Sequence, residues 1–399
     1  MDINFQRKLD RILGTAICRI FSFFHNKRES IPINTGPQNI LVILLSEIGS
    51  LILAQPMFNR IKEKYPRSSM HIMLFKKNKE ILDLLNIVPP DNIITINNSS
   101  LALFLKDSLS ALKKMRTIKF DITIDCELFS RISSIFSFLS GAKICVGFHP
   151  HTQEGLYRGN FINRPVLYNP YQHIAKQFIT LVEAISSTTI PKAKRTIGND
   201  ILMISPIKFK KNEIKELLCI FDKDFPSVAG KKLVLINPSG GLLPIRAWPL
   251  EYYCQLTKKL IEHGYAVGII GMSSDKELAN QIVAHCNSDT CVDLTSYTKS
   301  IRELMMMFHF SSLLITNDGG PGHFASLTPI NTIVFYGPET PLLYGTLNDK
   351  TVNFYRSLSC SPCLTAYNHR TSPCDGNNIC LKDIRSEEVF KKIKEILNH

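Results

Sequence analysis

The sequence predicts an α/β protein that consists of two doubly wound domains in series. Apolar runs of strand length alternate with longer amphipathic segments, the alternation pauses in a polar stretch around 190–212, and it then starts again. Because the runs are apolar throughout, each predicted sheet is parallel and covered by helices on both faces. A chain of 399 residues is long enough to form two such domains with separate cores.

The first domain is predicted to contain five strands and four helices. The strands are NILVILL (39–45), SMHIMLF (69–75), NIITI (92–96), FDITIDC (120–126) and KICVGF (143–148). The helices are LILAQPMFNRIKEKYP (51–66), KEILDLLNIV (79–88), LALFLKDSLSALKKMRTIK (101–119) and SRISSIFSFLSG (130–141). The first strand and the first helix are joined by LSEIG, which we interpret as a tight glycine turn.

The second domain repeats the pattern with five strands and five helices. The strands are KLVLINPSG (232–240), YAVGIIG (265–271), CVDLT (291–295), LLITND (313–318) and NTIVFYG (331–337). The helices are LEYYCQLTKKLIEHG (250–264), SDKELANQIVAHC (274–286), SIRELMMMFHFS (300–311), GHFASLT (322–328) and SEEVFKKIKEIL (386–397). Gly264 is the expected stop signal of the first of these helices.

Composition and charge indicate a globular protein with an acidic partner. An apolar fraction of 44% is typical of a globular chain and not of a disordered one. The first 200 residues carry 26 Lys and Arg against 15 Asp and Glu, while the remaining residues carry 21 against 19. The basic first half predicts an acidic partner, such as an anionic membrane surface or a phosphorylated glycolipid. The sequence has no nucleic-acid-binding signature, so we expect no nucleic acid partner.

The N-terminal segment RILGTAICRIFSFFHNKR (11–28) combines apolar and basic residues at helical spacing. The apolar positions are Leu13, Ile17, Ile20, Phe21 and Phe24, and the basic ones are Arg11, Arg19, Lys27 and Arg28. The apolar run is too short to span a bilayer and no signal-peptide cleavage site follows it. Two interpretations stay open: an amphipathic helix on a membrane surface, or a helix packed on the protein itself. The predicted division is 1–35 for this segment, 36–195 for the first domain and 196–399 for the second.

The richest candidate site is LLITNDGGPGHFASLTPINTIVFYGPETP (313–341). In open α/β sheets ligands bind beyond the carboxyl ends of the strands, which is where Asn317 and Asp318 lie. The GGPG stretch lets backbone amides approach a phosphate, and His323 could donate to a phosphate oxygen. Asp318 could accept hydrogen bonds from sugar hydroxyls. The combination predicts a site for a phosphorylated sugar ligand, although a glycine loop alone would be a weak signal.

Three stretches resemble the signature regions of the family 9 glycosyltransferases, the lipopolysaccharide heptosyltransferase family. They are TNDGGPGHFASL, NPSGGLLPIRAWP and LSEIGSLILAQP, and the resemblance covers about 38–395 in the expected order. ELFSR, GFH, TQEGLYRG and CSPC with YNHR fit a divergent branch of that family. The resemblance implies the GT-B fold, in which two Rossmann-like domains face each other across a cleft. It also implies that the first domain binds the acceptor and the second binds a nucleotide-sugar donor.

The resemblance also implies roles for residues of the donor domain. Asp318, beside Asn317, would contact the transferred sugar, and Arg246 stands at a basic position that neutralises the leaving phosphate. Gly319, Gly320 and His323 would hold the diphosphate, with Ser239 and Gly240 in the adjoining turn. Glu277 would reach the ribose, and Asp293, Leu294 and Thr295 would line the nucleobase pocket. The growing charge on the leaving group can be stabilised by these groups without a metal cofactor.

The first loop departs from the family pattern. Family members have Gly-Asp where this chain has Gly49-Ser50, and that Asp is the base that deprotonates the acceptor hydroxyl. A serine hydroxyl is a poor base, which leaves two interpretations. Either Glu47 supplies the carboxylate from the same substrate-binding loop, or the chain does not catalyse transfer by the family route. Further candidates for the base, by position only, are Asp125, Glu127 and His149.

Four of the eleven cysteines cluster in CSPCLTAYNHRTSPCDGNNIC (360–380). Without a secretion signal we expect a reducing compartment, in which such spacing is typical of a metal site. A structural zinc held by Cys360, Cys363, Cys374 and Cys380 is the predicted arrangement, and iron is less favoured. Disulfides and free thiols are the alternatives.

Together these observations predict an inverting glycosyltransferase at the cytoplasmic face of a bacterial membrane. The family resemblance points to a nucleotide-diphosphate heptose as donor and to lipopolysaccharide or another surface glycan as acceptor. Two alternatives remain at this point. One is an epimerase of nucleotide sugars on the same fold, and the other is a non-catalytic protein that binds a nucleotide sugar.

Overall fold

The computed structural model describes residues 3–23, 36–45, 47–128, 130–149, 157–365 and 371–398. Phe24, Lys27 and Arg28 of the predicted N-terminal helix lie outside the described residues. The chain divides into two compact units, Met1–Met203 and Ile204–His399. Each unit contains one six-stranded sheet and its own buried core.

The first unit is a parallel sheet with helices between its strands. Its strands are β1 (Asn39–Ile43), β2 (Ser69–Phe75), β3 (Ile93–Ile96), β4 (Ile122–Asp125), β5 (Ile144–Phe148) and β6 (Arg164–Val166). Its helices are α1 (Ile3–Leu9), α2 (Thr15–Phe23), α3 (Ile48–Leu53), α4 (Gln55–Lys64), α5 (Lys79–Leu85), α6 (Leu101–Ile118), α7 (Arg131–Leu139) and α8 (Ile174–Ala184). A single π-helical turn, Asp10–Gly14, joins α1 to α2.

The second unit is built in the same way. Its strands are β7 (Leu233–Asn237), β8 (Ala266–Gly271), β9 (Cys291–Thr295), β10 (Leu313–Asn317), β11 (Asn331–Tyr336) and β12 (Thr351–Tyr355). Its helices are α9 (Lys211–Asp224), α10 (Leu250–Glu262), α11 (Lys276–Cys286), α12 (Ile301–Phe310), α13 (Gly320–Ala325), α14 (Pro341–Tyr344), α15 (Ile379–Lys382) and α16 (Ser386–Leu397). Gly264, with a φ of 83°, follows the end of α10 as the sequence predicts.

Both sheets have the same topology, which confirms the predicted fold class. The first sheet has the order β3-β2-β1-β4-β5-β6 and the second has β9-β8-β7-β10-β11-β12, with every pairing parallel. The direction of winding therefore reverses between β1 and β4 and between β7 and β10. In doubly wound sheets the crevice at this reversal, beyond the carboxyl ends of the strands, is where ligands bind. We therefore expect the ligand-binding residues in the loops that follow these four strands.

Aromatic packing fixes the loop that follows β7 in the second unit. Trp248 is 1% exposed, its ring stacks on Phe335 of β11 at 4.4 Å between centroids, and it meets Tyr253 edge-on at 4.9 Å. The indole Nε1–H donates to the carbonyl of Ile384 at 2.9 Å. A buried indole that is both packed and hydrogen-bonded is a rigid support. The residues just before Trp248 are therefore held in a defined position.

The N-terminal helices pack on α7 by one face. The carboxylate of Asp10 accepts the backbone N–H groups of Arg131 and Ile132 at 3.0 and 2.8 Å, which satisfies donors at the start of α7. Phe21 stacks on Phe138 at 4.7 Å between ring centroids. A Cβ on Gly14 would lie 2.7 Å from the Arg131 Cβ, so the close approach requires glycine. The apolar stripe predicted from the sequence is thus partly used inside the protein.

Some elements differ from the sequence-based prediction. The helix after β1 begins at Ile48, so Gly49 lies inside the first turn of α3 and not in a glycine turn. The strands β6 and β12 and the helices α8, α9, α14 and α15 were not predicted. None of the helices in the described ranges has the length and apolar composition needed to cross a bilayer.

Candidate active site

Asn317, the last residue of β10, ties together the loops of the second unit. Its Oδ1 accepts the backbone N–H of Trp248 at 2.9 Å and the hydroxyl of Tyr253 at 3.0 Å. Its Nδ2 donates to the carbonyls of Pro238 and Ser239 at 2.9 and 3.1 Å. Two donated and two accepted bonds fill the capacity of the side-chain amide. Asn317 therefore positions the neighbouring loops, which leaves ligand contact to the residues around it.

A buried cluster of three charged side chains lies next to Asn317. Arg246 Nη2 lies 3.0 Å from Glu339 Oε1, and Arg246 Nη1 lies 3.8 Å from Asp318 Oδ2. The side chains of Arg246, Glu339 and Asp318 are 14%, 4% and 6% exposed, respectively. Within the described residues, Asp318 Oδ2 and Arg246 Nε have no hydrogen-bond partner. Buried groups that retain unused bonding capacity are unusual and are typical of a ligand site.

The same three charges affect the pKa of the nearby Tyr336. Burial raises the pKa of Tyr336 well above its ordinary value, and the charges of Asp318 and Glu339 add to that effect, while Arg246 opposes it. The phenol is therefore neutral at physiological pH. Its hydroxyl lies 3.5 Å from the carbonyl of Tyr344.

The glycine-rich stretch forms the start of α13, a helix of six residues. A Cβ on Gly322 would lie 3.3 Å from Val334, so this glycine lets the helix approach β11. A Cβ on Gly319 would come no closer than 3.9 Å to any neighbouring atom, which leaves space above the loop. His323 is 7% exposed and lies within α13. The predicted residues Asp318, Gly319, Gly320 and His323 are thus brought together at the end of β10.

The loop after β7 reaches a residue that the sequence did not suggest. Ser239 Oγ donates to Asp275 Oδ1 at 2.9 Å, and the backbone N–H of Gly241 donates to Ser239 Oγ at 3.1 Å. A Cβ on Gly240 would lie 2.8 Å from the carbonyl oxygen of Leu243, so the turn requires glycine. Glu277, the predicted ribose contact, is exposed on the first turn of α11. Asp275, two residues earlier, is the carboxylate connected to the loop.

The residues predicted to line a nucleobase pocket belong to the edge strand β9. Asp293 Oδ1 accepts the backbone N–H and the hydroxyl of Thr295 at 2.8 and 2.7 Å. Leu294 is 2% exposed. Its side chain packs so closely on β8 that a Cβ added to Gly268 would lie 2.5 Å from it. Leu294 is therefore part of the core in this structure, while Asp293 and Thr295 are half-buried at the end of the strand.

In the first unit, Glu47 and Ser50 lie where β1 gives way to α3. Ser50 Oγ donates to Glu47 Oε2 at 3.0 Å, and Ser50 is 8% exposed. Glu127, from the end of the adjacent strand β4, accepts the backbone N–H of Leu45 through Oε1 at 2.7 Å. Two carboxylates therefore stand at the winding reversal of this sheet. Glu127 is used to join the two strand ends, whereas Glu47 is held by the serine hydroxyl.

Asp125 is unsuited to the role of base. It forms an ion pair with Arg158 in which both side chains are 0% exposed, and Ser133 donates to the same carboxylate oxygen at 3.0 Å. Burial raises the pKa of Asp125, an effect that the charge of Arg158 opposes. Arg158 also donates to the carbonyls of Ser130 and Phe148, each at 3.0 Å. This network therefore holds the ends of β4 and β5 and the start of α7 together, which is a structural role.

The predicted metal centre is not supported. Across the described ranges, no group of three or more His, Cys, Asp or Glu side chains is placed to hold a metal ion. The thiols have other partners: Cys363 Sγ lies 3.1 Å from the Ser372 hydroxyl, and Cys374 Sγ lies 3.7 Å from Asn378 Oδ1. Burial raises the pKa of Cys380 to about 11, and the other thiols add to this. Cys360, the fourth predicted ligand, is exposed.

Instead, the four-cysteine segment contacts the loops of the site. The backbone N–H groups of Cys363 and Leu364 both donate to the carbonyl of Pro338, at 2.9 and 2.8 Å. Asn378 Nδ2 donates to the carbonyl of Ile245 at 2.6 Å. The segment therefore supports both Glu339 and Arg246 through the residues that precede them. Sequence spacing alone could not indicate these contacts.

Comparisons with known proteins agree with this geometry. The sequence model of glycosyltransferase family 9 (heptosyltransferase) matches residues 109–372, more than half of the chain. The chain is 21% identical over 365 residues to lipopolysaccharide heptosyltransferase 2 of Salmonella typhimurium, covering 90% of this chain and 98% of that protein. It is 24% identical to lipooligosaccharide heptosyltransferase 2 of Haemophilus influenzae, covering 78% and 87%.

Solved structures show the same fold at low sequence identity. The structure of the E. coli ADP-heptose lipopolysaccharide heptosyltransferase II has a TM-score of 0.69 at 18% identity, and covers 90% of this chain and 99% of that chain. A family 9 glycosyl transferase from Veillonella parvula has a TM-score of 0.65 at 19% identity, covering 90% and 97%. These similarities confirm the expected GT-B fold, and the family match favours a transferase over an epimerase or a binding protein. The chain belongs to glycosyltransferase family 9, the heptosyltransferase family, and is a glycosyltransferase.

Proposed function

We propose that this glycosyltransferase moves a heptose, with inversion, from ADP-heptose to a lipopolysaccharide acceptor. The names of the relatives in Salmonella typhimurium and Haemophilus influenzae support the sugar and the class of acceptor. The observation that carries the donor side is the pairing of Arg246 with Asp318, 3.8 Å apart at the end of β10. A buried cation beside a carboxylate with an unused oxygen suits a ligand that joins a phosphate to a polyhydroxylated sugar.

The proposed division of roles at this site follows from charge. Arg246 faces the phosphate that leaves with the nucleotide, and it stabilises the negative charge that grows there in the transition state. Backbone N–H groups at Gly319 and Gly320, together with His323, contact the same diphosphate. Asp318 Oδ2, which has no hydrogen-bond partner among the described residues, accepts sugar hydroxyls. Asp275, Glu277 and Asp293 are the candidates for the nucleoside.

We assign the general base to Glu47 in the first unit. The acceptor hydroxyl attacks the anomeric carbon, the bond from that carbon to the phosphate oxygen breaks, and the hydroxyl proton passes to the base. Ser50 cannot take that proton at neutral pH, but its hydroxyl donates to Glu47 Oε2 at 3.0 Å. This hydrogen bond holds the Glu47 carboxylate at the start of α3.

The test of this proposal separates binding from transfer. Glu47→Gln removes the charge but keeps the shape, and we expect transfer to fall about 100-fold or more with the affinity for ADP unchanged. Glu63→Gln is the matched control, because Glu63 is an exposed glutamate of the same unit, paired with Arg60 at 2.9 Å. Unchanged transfer by Glu47→Gln would remove Glu47 as the base. A wild-type protein that binds no ADP or ADP-heptose would overturn the donor assignment.

We further propose that the N-terminal helices dock on the cytoplasmic face of an anionic membrane. One face of these helices packs on α7, but the other leaves apolar side chains exposed, namely Phe5 (50%), Ile12 (59%), Leu13 (53%) and Ile20 (54%). Basic residues stand among them: Arg7, Lys8, Arg11 and Arg19. Apolar side chains flanked by cations match the interface of a membrane that contains acidic lipids. Both interpretations of the segment are therefore supported, each on a different face.

Vesicle flotation tests this docking. We expect the wild-type protein to float with vesicles that contain acidic lipids, and an Ile12→Ser, Ile20→Ser variant to float much less. Ile220→Ser is the matched control, since Ile220 is 55% exposed on α9 in the other unit. Equal flotation of the double variant and the wild type would overturn the docking proposal without affecting the donor assignment.

A further inference from the structure

Glu339 is a buried carboxylate that neither the family resemblance nor the sequence spacing singled out. It follows β11, two residues before α14, and its side chain is 4% exposed. Its Oε1 lies 3.0 Å from Arg246 Nη2. A charged side chain is seldom buried to this degree unless it has a specific partner. Here the partner is the arginine assigned to the leaving phosphate.

The backbone on both sides of this pair is fixed. Pro338, just before Glu339, accepts two backbone N–H groups from Cys363 and Leu364, and Thr340 Oγ1, just after it, accepts the N–H of Leu342 at 3.3 Å. On the side of Arg246, the carbonyl of Ile245 accepts Asn378 Nδ2 at 2.6 Å, and Trp248 is held by Asn317. The ion pair therefore joins two rigid loops.

The pair leaves Arg246 able to bind a phosphate. A guanidinium has five N–H donors in a planar fork, and Glu339 lies next to those on Nη2. Nε, whose N–H shares an edge of the fork with Nη2, has no hydrogen-bond partner among the residues that the structure describes. Asp318 approaches Nη1 only to 3.8 Å, which is beyond hydrogen-bond distance. The Nε–H and the Nη1 hydrogens are therefore left as donors for a phosphate while Glu339 lies against Nη2.

We propose that Glu339 is a positioning residue that holds Arg246 in the orientation that binds the diphosphate of the donor. The proposal rests on the assignment of Arg246 to the leaving phosphate made above. A fixed guanidinium needs no reorientation when charge develops on the phosphate, which is the condition under which electrostatic stabilisation is most effective. Glu339 itself contacts neither phosphate nor sugar.

Glu339 could instead compete with the diphosphate for Arg246, and this role predicts the opposite change in nucleotide affinity. If Glu339 competed with the diphosphate for Arg246, neutralising it would release the arginine and tighten nucleotide binding. If Glu339 positions Arg246, neutralising it leaves the arginine free to adopt several rotamers and weakens binding. The sign of the change therefore decides between the two roles.

The experiment is isothermal titration of ADP and AMP into the full-length protein. We expect Glu339→Gln to weaken ADP binding about tenfold, since a lost charge-assisted contact has roughly that effect. AMP lacks the second phosphate, so its affinity is expected to change less, and it reports that the site is folded. Glu339→Asp, which keeps the charge on a shorter side chain, is expected to fall between the wild type and Glu339→Gln. It also keeps the test valid if Glu339→Gln does not fold.

A double-mutant cycle shows whether Glu339 acts through Arg246. In an Arg246→Gln background, Glu339→Gln is expected to have no further effect on ADP binding. Glu262→Gln, at an exposed position near the end of α10, is the control for loss of one carboxylate from this unit. Additive effects, unchanged ADP affinity in Glu339→Gln, or tighter ADP binding would each overturn the proposal. If the wild type binds no ADP, the failure lies with the donor assignment instead.

Discussion

Glu47, the proposed base, stands three residues before the position at which the family resemblance implies a carboxylate. The family places a carboxylate at the position of Ser50, yet here the carboxylate stands three residues earlier and Ser50 donates to it at 3.0 Å. The serine is therefore interpreted as a partner of the base. The hydroxyl thus fixes one oxygen of the Glu47 carboxylate.

Ser50→Ala should lower kcat by about 3- to 10-fold, which corresponds to the loss of one hydrogen bond. We expect a much smaller effect than that of Glu47→Gln, because the carboxylate is still present. Steady-state kinetics with saturating donor measures the change. A loss in Ser50→Ala as large as that in Glu47→Gln would mean that the serine itself has a direct role.

His71 on β2 predicts a dependence of stability on pH. Burial lowers the pKa of His71, and the charge of Lys114 adds to this effect. The folded state therefore favours the neutral ring, while the unfolded state gains a proton as the pH falls below about 6.5. The free energy of unfolding should therefore decrease as the pH falls through that range.

The measurement is urea unfolding of the wild type and of His71→Gln at pH 7.5 and 5.5. His71→Gln should lose less stability between the two pH values than the wild type, because it has no ring to protonate. His309 is half-buried and its pKa is also lowered by burial, so part of the acid sensitivity should remain in the variant. Equal losses in both proteins would contradict the assignment to His71.

At the scale of secondary structure elements, the four-cysteine segment acts on the site through Gly337. This glycine directly follows β11, and a Cβ there would lie 2.7 Å from Leu381 Cγ and 2.9 Å from Cys380 Sγ. Ser361 Oγ donates to the Gly337 carbonyl at 2.5 Å. The strand end and α15 are therefore packed too closely to admit even a methyl group.

Gly337→Ala should destabilise the protein by about 1 to 3 kcal/mol through overpacking. It should also weaken ADP binding, since Glu339 follows two residues later and its loop would shift. Thermal unfolding and titration of ADP measure the two effects. Gly36→Ala is the control, because no atom lies within 4 Å of its Cβ position. Full ADP affinity in a destabilised Gly337→Ala would show that the segment stabilises the fold without positioning the site.

The elements also show what the sequence could and could not predict. Central strands such as β1 and β10 are mostly apolar, and their positions were predicted within a few residues. The strand β6 has three residues, including Pro165, and β12 is half-exposed, so both lack the apolar signal on which the prediction depends. The helix α9 has one buried residue, Phe221, which explains why its pattern was not recognised.

The sequence likewise indicated some residues of the candidate site and not others. Asp318, Arg246 and Glu47 follow central strands in recognisable motifs, so the sequence indicated them. The sequence did not indicate Glu339 and Asp275, because the contacts that place them at the candidate site are with distant parts of the chain. Ser239 reaches Asp275 only after the loops of β7 and β8 are folded side by side. Spacing along the chain cannot show such contacts.

At the scale of the whole molecule, two units with separate sheets and cores should not respond equally to a donor ligand. All the residues that we assign to the nucleotide belong to the unit Ile204–His399. A ligand that binds only the folded form of that unit stabilises it by about 2.7 kcal/mol at a free concentration of about 100 times Kd. The other unit gains nothing directly.

Differential scanning calorimetry with and without ADP tests this expectation. We expect the heat absorption to resolve into two transitions, because chains with several domains seldom unfold in one step. ADP should move one transition to higher temperature and leave the other nearly in place. In Arg246→Gln the ADP-dependent shift should largely disappear. A single transition that moves as a whole would mean that the two units unfold cooperatively, and that the ligand stabilises the entire chain.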